Sequence, residues 1–305
     1  MTQQNNKLKN KTVIASVSLA MFLILLKSIA FIKTDSLAIL SSLVDSITDL
    51  FASAISGIAV YFSTKPATSN HRYGFGKTEA LSALFQALFV GVSGLFVFVD
   101  GINRLFNPVE IKDTELGLYI MITSVVLTAM LVMFQSYVAK KTNSLAIKAD
   151  MAHYVVDFLT NGAVIVSLVL VKTIGFVYFD VIAALLISVY LLFNAFVLAR
   201  ESIDMITDKE LDEEVRNKIK NTVNDCKNVY GVHDLRTRSI GDIYFIELHL
   251  EIDGNVTLNK AHEITEIVEK KIFEIYPNSQ ILIHQDPYGL HEDRLDHTID
   301  GVCNI

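Results

Sequence analysis

The chain has 305 residues, 51% of them hydrophobic and only 19% charged, with four prolines, which is too apolar for an ordinary soluble domain of this length. A net charge of −7 argues against a nucleic-acid partner, which calls for a concentrated basic patch. The two cysteines, Cys226 and Cys303, form no CxxC pair, so neither a thiolate zinc finger nor a disulfide framework is supported.

The apolar residues fall in long blocks before about residue 204, and the remainder reads as a soluble sequence. A hydrocarbon core needs roughly 20 apolar residues per helix. Six blocks reach that length, at about 13–32, 36–62, 80–103, 115–138, 145–171 and 176–199. Lipid demands internally paired backbone groups, so these are expected as helices. The first block is too long for a cleavable signal peptide. The expected organisation is an N-terminal segment 1–12, a six-helix transmembrane domain 13–204, a soluble domain 205–288 and a disordered tail 289–305.

The loops alternate in charge. Lys7, Lys9, Lys11, Lys65, Arg72, Lys77, Lys140, Lys141 and Lys148 flank one side, against Lys33, Arg104, Lys112 and Lys172 on the other. The positive-inside rule then places both termini and the soluble domain in the cytoplasm of an inner-membrane protein. Lys27 falls inside the first span, where it is expected to snorkel or pair internally.

The second span contains SLVDSITD, with Asp45 and Asp49 four residues apart; the fifth contains ADMAHYVVD, with His153 and Asp157 at the same spacing. That spacing puts both members of a pair on one helical face, about 6 Å apart along the axis. Each carboxylate in the membrane costs roughly 2.5–3.5 kcal/mol on insertion scales, and three would repel one another. A divalent cation among three carboxylates and one imidazole relieves that repulsion. Four N/O ligands suit tetrahedral Zn²⁺ and accept Cd²⁺, Fe²⁺ or Co²⁺, whereas Mg²⁺ and Ca²⁺ want more oxygens. A metalloenzyme reading fares worse, because catalysis needs an open coordination position and a base, and no HExxH is present. Asp100, Asp150 and Asp180 lie near span ends, where interfacial solvation accounts for them.

Residues 209–287 read as helix, strand, strand, helix, strand, an α+β pattern. Leu211, Val215, Ile219 and Val223 form one helical stripe; Ala261, Ile264, Val268, Ile272 and Ile275 form another, with Asn259 as its expected cap. Tyr244, Ile246, Leu248, Leu250 and Ile252 alternate with Phe245, Glu247, His249 and Glu251, a half-buried strand. His233, His249, His262 and His284 fall at element edges with Asp286 close by. Their chemistry suits Zn²⁺, but spacing alone leaves a metal site and scattered histidines equally open.

With these residues in view, the chain resembles the cation diffusion facilitator family, and in particular its bacterial zinc/ferrous-iron efflux pumps, over about residues 12–288. SLAILSSLVDSITD, KPATSNHRYGFGKTEAL, ADMAHYVVD, HDLRTR and HQDP carry the resemblance. It implies a homodimer in the lipid bilayer with a ferredoxin-like cytoplasmic domain. Asp45, Asp49, His153 and Asp157 would form the transport site for a divalent cation exchanged for protons by alternating access. His233, His249 and Asp286 would hold one structural or regulatory zinc, and His262 and His284 a second bridged by Asp286. Similar pumps carry a further site in the loop after span two; here Thr68 and Phe75 stand where an aspartate and a histidine are expected, leaving His71 without its partners.

Overall fold

The computed structural model describes residues 2–34, 37–106, 115–174, 179–241 and 243–290. The chain divides into two compact units, Met1–Ile206 and Thr207–Ile305.

Among the described residues the first unit is six helices: α1 (Thr2–Thr34), α2 (Leu37–Ser63), α3 (Lys77–Phe106), α4 (Glu115–Thr142), α5 (Leu145–Ile174) and α6 (Phe179–Ile206). Among the described residues, four stretches, Gln4–Ile29, Lys77–Asn103, Met121–Thr142 and Leu185–Ile206, are long and apolar enough to cross a membrane by length and composition. Large apolar side chains such as Ile32, Phe96 and Phe106 are exposed along these helices, an arrangement that suits lipid rather than water.

Small residues let the helices approach. Ala80, Ala83 and Ala87 on α3 are buried against Leu145, Ala149 and Leu198, and a methyl at Gly94 would lie 3.1 Å from Leu191 Cβ on α6. At Gly57 of α2 a Cβ would come within 2.8 Å of Val13 on α1, so the close α1–α2 contact requires glycine there. Such small-residue faces are the usual means of helix association in membranes.

The polar start of α1 continues the helix well before residue 13 because Lys9 is buried and ion-paired. Its Nζ lies 2.9 Å from Glu79 Oε1, in the first turn of α3. Ser63 donates to the same oxygen at 2.7 Å, and Ser144 donates to Oε2. One carboxylate thus gathers α1, the end of α2, the start of α3 and the residue preceding α5. Lys27 pairs internally, donating to Ser46 Oγ at 2.7 Å.

The second unit runs α7 (Glu213–Asn224), β1 (Gly231–Ile240), β2 (Ile243–Ile252), α8 (Leu258–Ile275) and β3 (Ser279–Pro287). β1 pairs antiparallel with β2, and β2 pairs parallel with β3, joined by the α8 crossover. Ile246, Leu248 and Leu250 of β2 meet Ile219 and Val223 of α7 and Ile264, Val268 and Ile272 of α8 in the core. Thr257, rather than the expected Asn259, caps α8: its hydroxyl accepts from the Lys260 amide, the third helical position, as capping requires. With both helices on one face, the alternate side chains of β2, including His249 and Glu251, lie on the other.

Candidate metal centres

In the first unit α2 packs against α5. Asp49 on α2 is buried, and its Oδ1 lies 2.8 Å from Nε2 of His153 on α5. Asp157 stands one turn further along α5, and ligand atoms of the three residues all lie within 4.8 Å of one another. Asp45 precedes Asp49 by one turn of α2, on the same face; its side chain lies outside the described residues. Zinc–ligand bonds of about 2.0–2.1 Å in tetrahedral geometry separate neighbouring ligands by about 3.3 Å. Two carboxylates and an imidazole therefore converge closely enough that one divalent cation could take a ligand atom from each.

Asp150, expected to be solvated at a span end, is instead 3% exposed. Ser53 donates to its Oδ1 at 2.8 Å and Gln135 to its Oδ2 at 2.7 Å. The Tyr154 hydroxyl lies 3.0 Å from Ser53 Oγ and donates to the Ser16 carbonyl at 3.2 Å. Gln135 also donates to Ser16 Oγ, so the network joins α1, α2, α4 and α5. Burial excludes water there, and protein donors take its place. Asp150 is three residues from His153 and Ser53 four from Asp49, so each sits on the same helical face as a candidate ligand. That spacing was the signal in the sequence.

In the second unit, strand register lines up two neighbouring rows. His233, His249 and His284 are direct cross-strand partners, as are Gly231, Glu251 and Asp286. The imidazoles stand 5.1 Å apart between His233 and His249, and 4.7 Å apart between His249 and His284. Asp286 Oδ2 lies 2.7 Å from His249 Nδ1 and 3.5 Å from His233 Nε2, while Oδ1 lies 3.3 Å from His284 Nε2. Ligand atoms of His233, His249 and Asp286 fall within 4.8 Å of one another. His262 does not join them: its exposed ring lies 3.4 Å from Glu266 Oε1, one turn on along α8. Glu251, outside the ligand set expected from the sequence, lies 3.3 Å from His233 Nδ1 and is buried; its position beside His249 on one strand face is the available signal. His71 is exposed, with its ring 4.5 Å from that of Phe75.

A model of the cation efflux transmembrane domain matches residues 13–207, and a model of the cation efflux protein cytoplasmic domain matches residues 211–288. The cation-efflux pump FieF of Escherichia fergusonii is 38% identical over 287 residues, covering 94% of this chain and 95% of that protein. FieF of Serratia proteamaculans is 37% identical over the same shares. Among solved structures, the metal-bound C-terminal domain of the CzcD transporter from Thermotoga maritima is 28% identical, covers 27% of this chain and 100% of its own, and has a TM-score of 0.26. The chain is a multi-pass membrane transporter and not an enzyme, and it belongs to the cation diffusion facilitator family of cation-efflux proteins.

Proposed function

We propose that the chain exports Zn²⁺, and also Cd²⁺ and Fe²⁺, through six transmembrane helices by metal/proton antiport. The observation that carries this reading is the meeting of Asp49, His153 and Asp157 on the packed faces of α2 and α5, with Asp45 as the fourth ligand one turn away. Mixed carboxylate and imidazole donors favour a borderline, four-coordinate ion over hard six-coordinate ones.

The coupling follows from charge. Metal binds only to deprotonated carboxylates and a neutral imidazole. When the ion leaves outward, three carboxylates remain within apolar surroundings, where each charge costs roughly 2.5–3.5 kcal/mol on insertion scales. Protons entering down their gradient neutralise them and reset the site to face the cytoplasm. Alternating access moves the same ligand set between the two sides.

The domain boundaries are 1–12, 13–204, 205–288 and 289–305, with both termini in the cytoplasm on the lysine and arginine asymmetry of the loops. The soluble domain, ferredoxin-like in its αββαβ order, works as part of a homodimer. His233, His249 and Asp286 hold one structural or regulatory zinc there. A second is held by His284 and Asp286.

Zinc flux into proteoliposomes, measured with and without an imposed pH gradient, tests the proposal. Flux indifferent to the gradient refutes antiport. Asp49→Ala separates transport from mere metal sensing: transport requires that flux disappear while the soluble domain still binds metal.

A further inference from the structure

We propose that Glu251 is a positioning residue for the metal cluster of the soluble domain, holding His233 so that its Nε2 faces the metal. The inference rests on the reading of His233, His249 and Asp286 as a metal site.

The two nitrogens of an imidazole point away from each other, and His233 has a carboxylate near each. Nε2 is 3.5 Å from Asp286 Oδ2, on the side where His249 and Asp286 converge. Nδ1, the other ring nitrogen, is 3.3 Å from Glu251 Oε1. A metal-binding histidine needs a proton on the nitrogen that does not bind metal, and a carboxylate accepting that proton fixes both the tautomer and the ring plane. Glu251 is placed for that task, with its Oε1 beside Nδ1 and outside the cluster of His233, His249 and Asp286 ligand atoms.

Burial makes the placement specific. Glu251 is 7% exposed, and buried glutamates are rare unless paired. The strand partner of Glu251 is Gly231, and a Cβ at Gly231 would lie 3.0 Å from Glu251 Oε2 and 3.3 Å from its Cδ. The absence of a side chain at 231 is what leaves Glu251 room to lie back across β1 toward His233, two residues further along. The neighbour of Glu251 on β3 is Asp286, itself 5% exposed. Two carboxylates side by side in the same buried row repel each other, and a divalent ion bound through Asp286 with His233 between them relieves that repulsion.

The test uses full-length protein in detergent with Asp49→Ala in every arm, so that the intramembrane cluster adds no binding. Zn²⁺ is titrated against a chromogenic chelator, and the visible spectrum of bound Co²⁺ reports the donor set. Asp286→Ala is expected to abolish binding. Glu251→Ala is expected to weaken it by about 10–100-fold, as loss of such an outer partner does, and to shift the Co²⁺ bands. Glu251→Gln, whose amide oxygen still accepts from Nδ1, is expected to recover part of the loss. Binding and spectrum unchanged in Glu251→Ala while Asp286→Ala abolishes binding would overturn the positioning role and leave the site intact. Equal losses in Glu251→Ala and Glu251→Gln would also overturn it, by assigning the effect to charge alone. If Asp286→Ala binds normally, the site reading itself fails and the role of Glu251 falls with it.

Discussion

Asp49 and His153, 104 positions apart in sequence, hold each other directly across the α2–α5 contact, with 2.8 Å between Oδ1 and Nε2. A tetrahedral ion would hold the same two atoms about 3.3 Å apart, so metal can replace their hydrogen bond with little movement of either helix. Removing one side chain leaves the other without its partner and the ion without a ligand. Asp49→Ala and Asp157→Ala are each expected to reduce zinc flux in proteoliposomes by more than about 100-fold, beyond the 10–100-fold typical of outer-shell changes. Flux within tenfold of wild type in both variants would mean that the cluster lies off the transport path.

The single imidazole sets the softness of the ligand set. His153→Asp replaces a borderline nitrogen donor with a hard oxygen, and oxygen-only sites suit Mn²⁺ and other hard ions better than zinc. Competitive flux with Zn²⁺, Cd²⁺, Fe²⁺ and Mn²⁺ is expected to show the preference moving toward Mn²⁺. A variant that loses all flux, with no gain for manganese, would show that His153 is needed for more than selection.

Glu79 organises one end of the helical unit, accepting from Lys9, Ser63 and Ser144. Glu79→Ala strands the buried Lys9 ammonium, and breaking a buried pair from one side costs about 3–5 kcal/mol. The Lys9→Met/Glu79→Leu double variant removes both charges and is expected to melt well above Glu79→Ala. Thermal unfolding in one detergent, followed by helical circular dichroism, makes the comparison. Equal melting of the single and double variants would show that the pair contributes nothing beyond packing.

The candidate ligands of the spans were legible because charged groups in an apolar run stand out and an i, i+4 spacing fixes their common face. The αββαβ order was legible for a similar reason: β2 alternates with period two, and α8 repeats at helical spacing. What escaped was long-range pairing. Asp150 looked like a residue at a solvated span end because its partners, Ser53 and Gln135, are unremarkable polar residues lying 97 and 15 positions away. The first helix begins before its apolar run because Lys9 finds Glu79, and hydropathy sees lipid contact rather than helix length. Glu251 hid among strand glutamates that ordinarily face water; only strand register reveals that its partner is a glycine. His262 needed less: Glu266 one turn along α8 is visible in the sequence as a competing local partner.

The row of histidines on the second unit leads to a prediction about metal removal. His233 and Asp286 are both buried, while His284 at the other end of the row is exposed, so an ion at the His233, His249 and Asp286 cluster would sit toward the closed end, near Glu251. An ion that binds only the folded strands stabilises them by about 2.7 kcal/mol at a free concentration 100 times its dissociation constant. Zinc is therefore expected to raise the melting temperature of the second unit, and a chelator to reverse the rise. The same titration on His249→Ala is expected to show no rise, because the central ligand of the row is gone and only two members of the cluster remain. To exclude the intramembrane cluster, both proteins carry Asp49→Ala. A zinc-dependent rise that survives His249→Ala would place the stabilising ion elsewhere on the chain.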